Sequence, residues 1–342
     1  MKFLHWLNSL QFTSLQQNLC VAAAILIAGF LQVSFLRSER YARQRARLWR
    51  DRLGMACLGI MCIYLVIGLS NLILTPKLAA DGRPLSVLDL AFVDVPKESS
   101  YSEPWSKTDE KGRPLQGFHL LGTDALGKDV LQQTLKATST ALIIAVFASL
   151  IYIPLGIVLG IAAGYYKSFV DDLVQYLYST IASIPAILLL VSILVVMGKG
   201  LPQIAFALGI TGWIGLCRLL RGETLRQSER QYIDAARALG QSNFNIIFRH
   251  ILPNVMHLVL ISFVLGFSGI ILTEAILSYI GVGVPIGTAS WGAMIDGARM
   301  ELTREPKVWW NIGAASSALF ILVLSLNLFG DAVRRAFDPK SA

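Results

Sequence analysis

Charge is scarce in this sequence. Aspartate, glutamate, lysine and arginine make up 15% of its 342 residues while 54% are hydrophobic, a balance foreign to a water-soluble chain of this length. Cysteine is scarce too: Cys20, Cys57 and Cys62 fall inside apolar runs and Cys217 at the end of one, so no disulfide framework is readable and small apolar packing residues are expected. His5, His119, His250 and His257 have no metal-ligand spacing. The apolar runs also lack paired catalytic carboxylates, a Ser–His arrangement and zinc-ligand spacing, which argues against an intramembrane enzyme. No catalytic residue, metal or cofactor is therefore expected.

What the sequence has is long apolar runs. A helix rising about 1.5 Å per residue needs about 20 apolar residues to cross a hydrocarbon layer about 30 Å thick. Seven runs qualify: Leu19–Leu36, Met55–Thr75, Thr140–Gly164, Leu173–Gly198, Gln203–Cys217, Val255–Ile280 and Val308–Phe329. The fifth is short and the first, which contains Gln32, is marginally long, so six is the alternative count. An all-α polytopic membrane protein follows, with six spans plus an extra amino-terminal one and surrounding lipid as its solvent.

The net charge of +8 is placed topologically rather than as a nucleic-acid surface. Arg37, Arg40, Arg43, Arg45, Arg47, Arg50 and Arg52 crowd between the first two runs, and short Arg-rich loops stay cytoplasmic. The amino terminus should then face outward, and the carboxyl end, with Arg334 and Arg335, the cytoplasm. The first run lacks a small-residue cleavage motif and its charge follows rather than precedes it, so a retained anchor is expected over a removed signal. The resulting division is an anchor and Arg-rich loop over 1–53, a span over 54–75, an extracytoplasmic loop with an amphipathic lead-in helix over 76–139, a core over 140–330 and a cytoplasmic tail over 331–342. No tandem repeat is visible.

The largest inner loop runs from Arg218 to Asn254. Tyr232, Ala235, Ala236 and Leu239 share one helical face, Gly240 interrupts, and Phe244, Ile247 and Ile251 repeat the pattern, which predicts two short amphipathic helices meeting at a glycine. Pro253 should mark the first turn of the sixth span, where a missing N–H does no harm. Upstream, Gly122–Asp129 reads GTDALGKD, close to the phosphate-loop pattern, but Asp129 replaces the magnesium-binding hydroxyl and Asp124 adds a carboxylate where phosphates would lie. No nucleotide site is expected there.

IDAARALG, ten further residues and then ILP resembles the sequence that marks permease subunits of ABC importers, with Asp234, Ala235, Ala236, Gly240 and Leu252–Pro253 in the matching places. Asp234 stands where Glu is usual. LGTDALGKDVL, SIPAILLL, TGWIGLCRLLRGE, RHILPN, EAILSYIGVG, SWGAMI and FDPK follow in family order, and the whole is similar to the second permease of the dipeptide, oligopeptide and nickel importer group from about Arg50 to Lys340. Lys128, where Arg is common, and the extra run Leu19–Leu36 depart from that pattern.

The resemblance implies a type I importer transmembrane fold in a bacterial cell inner membrane. It also implies a second permease as heterodimer partner, two ATP-binding-cassette ATPases and a periplasmic substrate-binding protein. Tyr232, Asp234, Ala235, Ala236, Leu239, Gly240 and Pro253 would carry ATPase coupling. Small alanines allow close approach, Gly240 a sharp turn, and Asp234 a basic partner.

Three residues have two readings each. Glu274, costly inside a span at about 2.5 kcal/mol or more, faces either the pathway or a hydrogen-bonding neighbour. Pro185 kinks or hinges the fourth run, and Gly209, Gly212 and Gly215 should pack the fifth closely. Trp291 reads as an interfacial anchor, or as a contact for the binding protein or an outer gate. An ion-coupled secondary transporter would show midplane coupling groups and related halves, and neither is visible. A structural membrane protein is the remaining alternative. No residue decides the solute among peptides, nickel, heme and sugars.

Overall fold

The computed structural model describes residue 18 and residues 42–78, 84–93, 95–98 and 100–337. The first expected span, Leu19–Leu36, lies outside them.

Helix α1, Ala42–Arg50, precedes α2, Arg52–Leu72, whose N-cap Asp51 accepts the Gly54 N–H at 3.0 Å. A short antiparallel strand pair follows, β1 Leu74–Leu78 and β2 Pro84–Ser86. Ser86 and Asp89 close a capping box on the single turn α3, Val87–Leu90. The next long helix, α4, covers Val130–Tyr166, with Asp129 accepting the Gln132 N–H at its start. Then come α5 Ser168–Ala182, α6 Ala186–Met197, α7 Leu201–Ser228 and α8 Gln231–Ala238. A 37-residue helix, α9, runs Asn243–Tyr279, and α10 Trp291–Glu301 and α11 Trp310–Phe337 complete the order.

Among the described residues five helices are long and apolar enough to span a bilayer: α2, α4, α7, α9 and α11. The pair α5 and α6 makes a sixth, so six of the seven expected runs are helical. Two expectations need correction. The run Leu173–Gly198 is not one helix: it breaks by 84° between Ala182 and Ala186, and Pro185, unable to donate to the preceding turn, becomes the N-cap of α6. Nor does Pro253 open a span. The helix is already ten residues old there, because a π turn at Ile247–Ile251 precedes it and widens the ladder where the proline ring would otherwise strike a carbonyl one turn back.

The described residues form two compact units. One comprises those up to 143, residues 199–201 and those from 271 onward; the other comprises 144–198 and 202–270. In the first, α11 packs on α2 and α10. Gly54 leaves room for Ala332, whose Cβ stands 2.7 Å from where a Gly54 Cβ would sit, and Arg335 pairs with Asp51 at 2.7 Å. Tyr101, Val130, Val308 and Trp310 form its outer core.

In the second unit α4 meets α7 along Gly156, Gly160 and Gly164. A Cβ on each would fall 2.9 Å from Leu216, 2.8 Å from the Cys217 carbonyl and 2.6 Å from Thr224. The expected stripe on α7 contributes less: Gly209 faces Ile151 at 2.7 Å, but Gly212 meets Tyr152 only at ordinary distance and Gly215 meets nothing. Large apolar side chains stay exposed along the spans, among them Val146, Phe147 and Leu150 of α4 and Val195 and Val196 of α6, as a hydrocarbon solvent requires.

Candidate functional site

The connection from α7 through α8 to α9 is fixed by backbone chemistry first. Gly240 adopts a φ of 73°, its N–H bonds the Arg237 carbonyl at 2.9 Å and the Gln241 N–H bonds the Ala236 carbonyl at 3.1 Å. These two bonds are a Schellman cap, which favours glycine because a side chain at positive φ is strained. Ser242 then caps α9 by accepting the Asn245 N–H at 3.3 Å. The turn is short because each orphaned helix end is satisfied within a few residues.

Burial divides the residues of this hairpin differently from the helical-face expectation. Ile233, Ala236, Ile246 and Ile251 are buried and hold the hairpin to its own unit. Tyr232, Ala235, Leu239 and Gly240 are exposed, whereas Ala236, at the edge of that face, is buried with Ile233. Leu239 is 81%, Phe244 69% and Phe248 53% exposed, with the two phenylalanine rings 4.3 Å apart. Such an apolar set at the end of a hairpin has no partner within the unit. Asp234 is also exposed and lies 3.5 Å from Arg237.

Neighbouring polar contacts brace the hairpin. The Tyr165 hydroxyl donates to Asn243 Oδ1 at 2.8 Å, and the Arg237 guanidinium lies 5.4 Å over the Tyr165 ring. Lys167 pairs with Glu229 at 3.0 Å. Arg221 donates two hydrogen bonds to the Asp171 carboxylate, joining α7 to α5. Tyr232 donates to Gln227 at 2.8 Å and accepts from Asn254 at 3.2 Å, so it ties the two ends of the loop. Sequence reasoning missed Tyr165 and Asp171, since side chains some 50 to 80 positions apart in sequence give no periodic signal; Phe248, four residues from Phe244 on the same helix, carried such a signal and was passed over.

The remaining candidates lie in the first unit or at the α5–α6 break. Glu274 is 1% exposed, and its Oε1 accepts the hydroxyls of Ser278 at 2.7 Å and Ser290 at 2.8 Å. Trp291 is also 1% exposed, with its indole N–H on the Thr134 carbonyl at 3.1 Å and its ring edge-on to Tyr64. The first turn of α10 carries this ring into the protein. Gly292 beside it packs directly on the Ala275 carbonyl. Among the described residues no three His, Cys, Asp or Glu side chains are grouped to hold a metal ion.

The phosphate-loop look-alike is a capped turn. Asp124 Oδ1 accepts the Leu126 and Lys128 N–H groups at 2.8 and 2.9 Å, and Asp129 accepts from Gln132 while its other oxygen contacts His119 at 2.9 Å. The amides a phosphate would need are already used.

With six apolar spans and this hairpin in place, the chain belongs to the family of binding-protein-dependent transport system inner membrane components, whose model matches residues 156–342. It is a multi-pass membrane permease component. Over 89% of its length it is 28% identical to the oligopeptide transport system permease protein OppC of Bacillus subtilis, covering 93% of that protein. Over 65% it is 35% identical to the glutathione transport system permease protein GsiD of Pectobacterium atrosepticum, covering 73% of it. A solved structure of inward facing conformations of the MetNI methionine ABC transporter aligns with 61% of this chain and 96% of its own, at a TM-score of 0.47 and 18% identity.

Proposed function

We propose that this permease forms one half of the translocation pathway of an ATP-binding-cassette importer for peptides or peptide-like solutes. In this reading it pairs with a second permease in the bacterial inner membrane, receives solute from a periplasmic binding protein and couples to two separate ATPases. The amino terminus lies outside and the carboxyl end in the cytoplasm, as the arginine distribution requires. Relatives named for oligopeptide and glutathione transport support the solute class.

The observation that carries the coupling assignment is the exposed set Leu239, Phe244 and Phe248 on a hairpin whose other side is locked by Ile233, Ala236, Ile246 and Ile251. A ligand shifts a conformational equilibrium only through contacts that differ between states, so a rigid hairpin seated in an ATPase groove can pass on the closure that ATP drives. Tyr232, Asp234 and Ala235 are exposed on the same hairpin, and Pro253 with the π turn sets how α9 leaves it. Glu274 and Trp291 act on gating through the seating of α10, and Pro185 through the bend between α5 and α6.

Co-purification tests the reading directly. The parent chain should bring down ATPase subunits, whereas a secondary transporter or a structural protein would not. Gly240→Trp should insert normally yet abolish uptake and ATPase capture; normal uptake by that variant removes the coupling role.

A further inference from the structure

Two neighbouring cavities open in the first unit, one of about 450 Å³ and one of about 340 Å³, and Lys128, Gln133 and residues 287–289 line both. Their charges sort by sign once internal pairs are cancelled. The larger cavity presents Lys97, Lys128 and Lys136 against Asp129 alone. Lys136 is neutralised by Asp89 at 2.5 Å, while Asp129 is hydrogen-bonded by His119 and by the Gln132 N–H at the start of α4. Lys97 and Lys128 remain, and neither has an ion-pair partner among the described residues. The larger cavity therefore has a positive pole.

The smaller cavity sorts the other way. Its Arg304 is held by Glu110 at 3.1 Å and lies 4.5 Å over the Tyr101 ring, which leaves Asp124 and Glu301 as its outstanding charges beside the Lys128 it shares with the larger cavity. Glu301 is buried and contacts only neutral donors, the Tyr101 hydroxyl at 3.2 Å and the Asn311 amide at 3.2 Å. Asp124 uses one oxygen for backbone amides. Val130 and Met294 supply an apolar wall beside these carboxylates. Poles of opposite sign joined by a shared wall, in cavities of ligand size, suit a small dipolar molecule, because concave walls focus the field of each pole.

We propose that these cavities form a solute site on the permease itself, taking a short peptide with its free carboxylate over Lys97 and Lys128 and its ammonium beside Glu301. The peptide class rests on the function proposed above; the dipolar requirement rests on the charges. Nothing in the coupling hairpin is needed for it.

The test titrates trialanine, its carboxyl-terminal amide and its N-acetyl form into the purified full chain in lipid nanodiscs, without binding protein or ATPase. Trialanine should bind, and each capped form should bind about tenfold or more weakly, as loss of one charge-assisted contact implies. Lys97→Gln with Lys128→Gln should weaken trialanine comparably, while Lys111→Gln, exposed and away from both cavities, should not. Absence of trialanine binding at millimolar concentration, equal binding of a capped form, or parent-like affinity in the double variant overturns the site. Those results leave ATPase capture untouched, and failed capture leaves this titration untouched, so the two readings fail separately.

Discussion

Glu301 and Glu274 are both acidic side chains taken out of water, and their neighbours decide what each does. Around Glu301, burial pushes the carboxyl above its ordinary value of 4.5, and the donors Asn311 and Tyr101 only partly offset it. The sign follows from linkage. The folded state holds its proton to higher pH than the unfolded chain, so stability falls as pH rises through the window above 4.5 and levels off once the folded group ionises. Glu301→Gln should flatten that fall, which thermal unfolding midpoints measured across mildly acidic pH would show; parallel curves for parent and variant would contradict it. Glu274 was legible as a residue needing a partner, because a charge in an apolar run demands one. That the partners are Ser278 and Ser290 was not legible, since Ser290 reaches it only through the turn between α9 and α10.

At the scale of elements, the join between α4 and α7 depends on absent side chains. Gly156, Gly160 and Gly164 recur every four residues, so they share one helix face and let backbone meet backbone. Gly160→Leu should force the helices apart at a cost of about 1–3 kcal/mol, lowering the unfolding midpoint in detergent, whereas Gly215→Leu should leave it unchanged. Equal effects at both positions would refute this packing. The glycines of α7 were the more conspicuous in sequence because they sit in a short run. Which glycine face finds a neighbour depends on helix crossing, which composition does not encode. The π turn is similar: Pro253 announces an irregularity, but only the fold decides whether the helix ends there or widens and continues.

For the whole molecule, orientation in the bilayer is the testable matter. With the hairpin in the cytosol, Leu239→Cys should react with a membrane-impermeant thiol reagent in inverted vesicles and stay unreacted in intact cells, measured against the parent chain. Labelling from outside intact cells would reverse the topology. Sequence alone determined that the chain lives in a membrane, roughly where six spans lie and to which family it belongs, because apolar length, arginine placement and ordered motifs are local properties. Tertiary structure alone decided which hairpin residues are offered and which are packed, that Trp291 is enclosed, and that Lys97, Lys128 and Glu301 line adjoining cavities. Those outcomes depend on contacts between residues far apart in the chain, and burial is settled only when the distant partner arrives.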